Sequence, residues 1–111
     1  NKKFQRIGDS PIIGAGTYAN NDSCAISCTG HGESFIRAVV AFDVHALMLY
    51  KGLSLADAVR EVVHEKLPKL DGDGGLIAVD RDGNIVLDFN CPGMYRGQVS
   101  QDQALTTAIF R

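Results

Sequence analysis

No apolar run in this sequence approaches the roughly twenty residues that a membrane-spanning helix requires. The richest stretch, Phe35 to Tyr50, is interrupted by Arg37, Asp43 and His45. Charge of one sign is equally scarce: 11 basic residues stand against 13 acidic ones, for a formal charge of −2. There is no acidic tail and no basic field for nucleic acid, and Lys2-Lys3 is the densest basic pair. No positively charged leader precedes an apolar block, so nothing reads as a secretion signal, while a start at Asn rather than Met predicts a chain that was cut or trimmed. Cysteines are few and odd in number. Cys24, Cys28 and Cys91 lack metal-ligand spacing and fit buried thiols in a reducing compartment better than a disulfide framework. His31, His45 and His64 share no metal spacing either. These exclusions predict a soluble, cytoplasmic protein with no metal or cofactor and no nucleic-acid or membrane partner.

What is present is ordinary globular material, 111 residues with 45% apolar and 22% charged. A chain of this length usually makes one domain and buries about two thirds of its unfolded surface without staples. Asn1 to Ser23, rich in Gly, Pro and Asn, reads as an irregular segment lying across a surface. Cys24 to Cys28 reads as a buried strand ending at Thr29-Gly30-His31-Gly32. One long helix follows, about Glu33 to Tyr50, with Ile36, Val39, Val40, Leu47 and Tyr50 at helical spacing and Phe35, Phe42 and Leu49 widening the stripe, so it should be largely buried. Gly52 suits a left-handed cap. Ser54 and Asp57 form the acidic version of a capping box for a second helix, with Leu55, Ala58, Val59, Val62 and Lys66 on one side and Pro68 ending it.

The last third changes period. Leu76 to Val79 and Ile85 to Leu87 flank Asp82-Gly83, the dipeptide of a hairpin turn. Met94 to Val99 and Leu105 to Phe110 are weaker strands joined by a polar loop. Segregated helices and antiparallel pairs predict an α+β fold rather than alternating βαβ units.

Several motifs mislead. Gly14-Ala15-Gly16-Thr17-Tyr18-Ala19 matches a dinucleotide fingerprint, but a turn, Asn20-Asn21-Asp22-Ser23, stands where the phosphate-binding helix should begin. Asp71 to Gly74 and Asp80 to Asn84 look like pieces of calcium loops, yet neither has a Glu at the twelfth position nor two flanking helices, and both read better as turns. The sequon Asn21-Asp22-Ser23 matters only on a secretory route. His45 and His64 fall on predicted helices and read as polar-face or satisfied, partly buried residues rather than catalytic ones.

Two loop segments remain. Arg6 and Asp9 taken alone would most often be an exposed ion pair. A guanidinium beside a carboxylate is also the complement of an amino-acid head group, and Gly8 lets the backbone turn tightly enough to aim both one way. Thr29-Gly30 at a strand end could be a simple helix cap, or a hydroxyl and a backbone N–H placed to hold a developing oxyanion.

Arg6-Ile7-Gly8-Asp9-Ser10-Pro11, Ile13 to Asn20, Ser27-Cys28-Thr29-Gly30-His31-Gly32-Glu33 and Phe89-Asn90-Cys91-Pro92-Gly93-Met94-Tyr95-Arg96 together resemble the β subunit of plant-type L-asparaginases, or isoaspartyl peptidases, in order from Asn1 to Phe110. Glycosylasparaginases share part of the pattern, but the Leu53-Ser54-Leu55-Ala56 helix start and the Phe89 to Arg96 segment resemble the asparaginase branch more closely. A third reading is a non-catalytic fragment that only binds amino acids.

The resemblance implies an N-terminal nucleophile hydrolase with a four-layer αββα sandwich, made as a self-cleaving precursor. Residues 1–111 would be the C-terminal, β-subunit portion of a single such domain, incomplete at its N-terminus. An α subunit and a second αβ unit would be its partners in an (αβ)2 assembly. The new N-terminal Thr of the β subunit would be nucleophile and, through its amine, base. That Thr is absent from this sequence, and Asn1 has an amine but no nucleophilic side chain. Alone the chain would be inactive. By the same resemblance Arg6 would bind a substrate α-carboxylate and Asp9 its α-ammonium, Thr29 and Gly30 would form an oxyanion hole, and Gly8, His31 and Gly32 would line the pocket.

Overall fold

The structure, a computed structural model, describes residues 4–111; Asn1 and the Lys2-Lys3 pair lie outside them. Four strands, β1 (Thr17–Ala19), β2 (Cys24–Gly30), β3 (Gly74–Asp80) and β4 (Ile85–Phe89), form an antiparallel sheet in the order β1-β2-β3-β4. The β3–β4 hairpin turns over residues 80–83, where the Gly83 N–H donates to the Asp80 carbonyl at 3.1 Å and Gly83 takes φ 86°, so the central pair is Arg81-Asp82 rather than the expected Asp82-Gly83. There the Asp80 carboxylate accepts the backbone N–H groups of Asp82 and Asn84, both at 2.9 Å, which is turn chemistry. The two weaker strand segments form a separate hairpin, β5 (Arg96–Ser100) with β6 (Gln103–Ala108). With its helices grouped between β2 and β3, the fold is α+β, as expected.

β2 is not buried on both sides. Cys24, Ile26 and Cys28 enter the core, while Ala25, Ser27 and Thr29 face outward. The strand's small residues suggested full burial, but the strand alternates because helices cover only one face of the sheet. On that face Leu76 and Ala78 of β3 join Phe35, Val40, Val44, Leu55, Val59, Val62 and Leu67 in a single core. The opposite face exposes Ile77, Val79 and Ile85, Ile77 being 47% accessible. With Val99 and Leu105 of the second hairpin these residues line a broad groove of about 650 Å³.

The expected irregular segment before Ser23 contains β1, which three residues between Gly16 and Asn20 are too short to announce by periodicity. The expected single helix over Glu33 to Tyr50 is two: α1 (Gly32–Ala38) and α2 (Val40–Lys51), separated by Val39 in the left-handed region at φ 51° and ψ 49°. The break has a visible partner. The N–H of Ala41 donates to the Ala15 carbonyl (3.1 Å) and that of Phe42 to the Gly14 carbonyl (2.8 Å), instead of to the preceding helical turn. The helix therefore restarts with a new phase. Phe35, Val40, Ala41 and Val44 become core, whereas Ile36, Val39, Phe42, Leu49 and the 76% accessible Tyr50 stay exposed, so the stripe is not largely buried. The Gly14-Ala15-Gly16 loop does stand at a helix N-terminus, but with its carbonyls bonded to the free N–H groups a phosphate would need.

α3 (Leu55–Glu61) opens as the capping pattern predicts, with Ser54 Oγ accepting the Asp57 N–H at 3.2 Å, and Gly52 caps α2 at φ 72°. Leu55, Ala58, Val59 and Val62 are buried, and Lys66 reaches Asp43 at 2.7 Å. α3 runs into a π-turn over Val62–Lys66 and a 3-10 turn over Leu67–Leu70, so the helical path passes through Pro68 rather than ending there. His45 is fully buried and satisfied, its Nδ1 2.6 Å from Ser23 Oγ. His64 sits at the surface against Asp88. No helix among the described residues is long and apolar enough to cross a membrane.

Candidate active site

The N-terminal loop and the end of β2 converge on one pocket of about 280 Å³, lined by Arg6, Gly8, Asp9, Cys28, Thr29, Gly30, His31 and Gly32 among others. Two segments chosen from the sequence twenty residues apart are thus neighbours. Asp9 is only 6% accessible, yet its Oδ2 is fully enclosed without a hydrogen-bond partner. Arg6 is exposed at the rim and makes no ion pair with Asp9, so the commoner reading of the two as a surface salt bridge does not hold. A buried carboxylate oxygen left unpaired costs on the order of 1 to 3 kcal/mol or more. An ammonium donor entering the pocket would relieve that cost.

Glycines shape the walls. Gly8 turns the loop at φ 82°. A Cβ on Gly16 would lie 2.3 Å from the Asp9 carbonyl oxygen and 2.7 Å from Oδ2, and one on Gly32 would lie 2.9 Å from Oδ1. Below them Cys28, its N–H bonded to the Gly16 carbonyl at 2.9 Å, has its thiol pushed up to about 12 by burial and, next, by the charge of Asp9. That thiol is neutral at physiological pH and makes a poor nucleophile.

At the strand end, neither Thr29 nor Gly30 caps α1. The cap position is His31, which makes no side-chain capping bond and lies 3.5 Å from Ser34 Oγ through Nδ1. Hydrogen-bond direction alternates along an antiparallel strand. Because the Cys28 N–H points to the β1 side, the Gly30 N–H points the same way, past the place where β1 has begun. Thr29 sits on the open face of the sheet, exposed. Gly30, at φ 139°, lies so close to Asp73 and Gly74 that a Cβ would come within 2.5 Å of the Asp73 carbonyl oxygen. The pocket therefore joins a buried carboxyl group, a guanidinium, a hydroxyl and a backbone N–H directed away from β3. Among the described residues no cluster of three or more His, Cys, Asp or Glu could hold a metal ion.

A protein-family model described as asparaginase matches residues 1–109. The chain belongs to the asparaginase family. It is 60% identical over its whole length to an isoaspartyl peptidase of Salmonella typhimurium, covering 36% of that protein. It is 59% identical to the isoaspartyl peptidase of Escherichia coli, covering all of this chain and 35% of that one. It is also 51% identical over 99% of its length to a probable isoaspartyl peptidase/L-asparaginase of Arabidopsis thaliana, covering 33% of it. The asparaginase-family chain thus spans about a third of the length of these curated relatives.

Two residues against Asp9 are not legible as site residues from their local sequence: Gly16 sits in a nucleotide-type motif and Cys28 in the core strand. Only contacts across the fold distinguish them, since their neighbours in space are distant in sequence.

Proposed function

We propose that this chain is part of a threonine-dependent amidohydrolase that cleaves the side-chain amide of L-asparagine and β-aspartyl peptides to release L-aspartate. The observation that carries the reading is the buried, unpartnered Asp9 oxygen in a pocket that also presents Arg6. Arg6 takes the substrate α-carboxylate and Asp9 its α-ammonium, which leaves the side-chain carbonyl directed toward the end of β2. The Thr29 hydroxyl and Gly30 N–H hold the oxygen as a threonine hydroxyl, from a segment outside these residues, adds to the carbonyl carbon. The hydroxyl proton passes to the departing nitrogen, so ammonia from asparagine or the amine of a β-aspartyl peptide leaves and an acyl enzyme remains; water then hydrolyses that ester, releasing aspartate and restoring the threonine hydroxyl. Gly8, His31 and Gly32 line the pocket, and no chemistry is assigned to His31.

The same reading makes this chain the β-subunit portion of an αββα sandwich, with an α subunit from the same precursor and a second αβ unit as partners. The exposed apolar face of the sheet supports it, because Ile77, Val79 and Ile85 offer a second sheet a surface to pack on. The names of the relatives favour β-aspartyl substrates over glycosylated asparagine.

The test is steady-state hydrolysis of a β-aspartyl dipeptide by the full-length protein. Arg6→Ala should raise KM strongly. Thr29→Ala should lower kcat by a factor on the order of 10² to 10³, the usual loss for one oxyanion donor. An unchanged kcat in Thr29→Ala removes the oxyanion assignment, and a full-length protein inert toward the dipeptide removes the function.

A further inference from the structure

The Phe89 to Arg96 segment is the strongest part of the family pattern with no place in the reaction just described. Its second residue, Asn90, follows β4 and spends its whole amide on three backbone groups. Oδ1 accepts the Gly74 N–H at 2.8 Å, and Nδ2 donates to the carbonyls of Val63 at 3.0 Å and Gly72 at 3.1 Å. The Asn90 backbone N–H also donates to the Gly74 carbonyl at 2.9 Å. Gly74 is therefore gripped from both its N–H and its C=O by one residue.

The Val63 carbonyl is free for this purpose because of the π-turn. In an α-helix the Leu67 N–H would take it, but Leu67 donates to Val62 instead. The next N–H in line would belong to residue 68, which is proline and has none. The irregular turn and Pro68 together leave one carbonyl in need of a donor, and Asn90 supplies it.

On its other side Gly74 lies against the end of β2. A Cβ on Gly74 would come within 2.4 Å of the Thr29 carbonyl oxygen and 2.8 Å of Gly30 Cα, and one on Gly30 would come within 2.6 Å of Gly74 Cα. Both glycines stack on the fully buried Phe35 ring. The His31 N–H bonds the Asp73 carbonyl at 3.0 Å, which fixes the same stretch. We infer that Asn90 is a positioning residue that fixes Gly74 and, through it, sets the Thr29–Gly30 backbone facing the pocket. The inference rests on the proposed function for its kinetic consequence, but not for the placement itself.

The experiment compares Asn90→Ala and Asn90→Asp with Leu55→Ala, a core truncation on α3, in the full-length protein with glycine-selective 15N labelling. Asn90→Asp keeps the acceptor for Gly74 and loses both donors, so it serves if the alanine variant does not fold. The expected result is a displaced Gly30 amide resonance in the Asn90 variants and not in Leu55→Ala. With it should come a kcat about 10- to 100-fold lower per folded enzyme, with KM unchanged, as for small misplacements of a catalytic group. Combined with Thr29→Ala, the loss should be less than the product of the two single losses. A Gly30 resonance that stays in place, or a kcat matching Leu55→Ala, overturns the inference. A displaced Gly30 together with a Thr29→Ala variant of normal kcat supports Asn90 as a positioning residue and sinks the oxyanion reading instead.

Discussion

Asp9 lies so close against Gly16 that a Cβ on the glycine would sit 2.7 Å from the carboxylate Oδ2. Because the nearest atoms also include the Asp9 carbonyl carbon at 2.6 Å, a methyl group cannot be accommodated by rotating the side chain alone. Gly16→Ala should displace Asp9 and raise KM for substrates carrying an α-ammonium, by about 10-fold or more for a lost charge-assisted contact. Analogues lacking the amine should be hardly affected. Equal losses for both substrates would separate Gly16 from Asp9.

The left-handed Val39 gives a test of opposite sign. A β-branched residue at φ 51° carries strain of about 1 to 2 kcal/mol, which Asn tolerates far better. Val39→Asn should therefore stabilise the protein by about 0.5 to 1 kcal/mol in urea titrations. Had residues 33–50 formed one continuous helix, the same change would be destabilising.

Ser23 and His45 are both buried and 2.6 Å apart. Ser23→Ala leaves the imidazole Nδ1 without its partner and should cost about 1 to 3 kcal/mol. A shift in the denaturation midpoint indistinguishable from zero would show that the pair contributes nothing to the core.

Cys28 predicts an alkaline weakness. At neutral pH the thiol is protonated in both folded and unfolded chains. Above its usual range of about 8.5 to 9 the unfolded chain releases the proton, whereas the folded chain holds it up to about 12. Stability is thus full below pH 8.5 and falls as pH rises through that window. Cys24, likewise raised by burial, adds to the trend. Cys28→Ala should flatten the dependence of the urea midpoint on pH between 9 and 11. Native alkylation should reach the half-buried Cys91 before either buried thiol.

The sequence was most readable where structure is local. Gly83, Gly52 and Ser54 with Asp57 act on their immediate neighbours, and each does what its chemistry dictates. The helix break was unreadable because its cause lies in the carbonyls of Gly14 and Ala15, which reach α2 only after folding. The site divided in the same way. Arg6, Asp9, Thr29 and Gly30 were recognisable as chemical types and meet in one pocket, whereas Gly16 and Asn90 act only through what the fold brings against them.

The π-turn at Val62–Lys66 makes chain length itself a variable of the pocket. A π-turn is the form a helix takes when it carries one residue more than its regular path needs. Deleting a single residue between Leu55 and Val63 would let the Leu67 N–H close an ordinary helical turn on the Val63 carbonyl. Asn90 would then lose a ligand although its own codon was untouched. Comparisons among relatives that score only residue identity at position 90 would miss such a change, and a one-residue gap far from the pocket becomes as informative as a substitution within it.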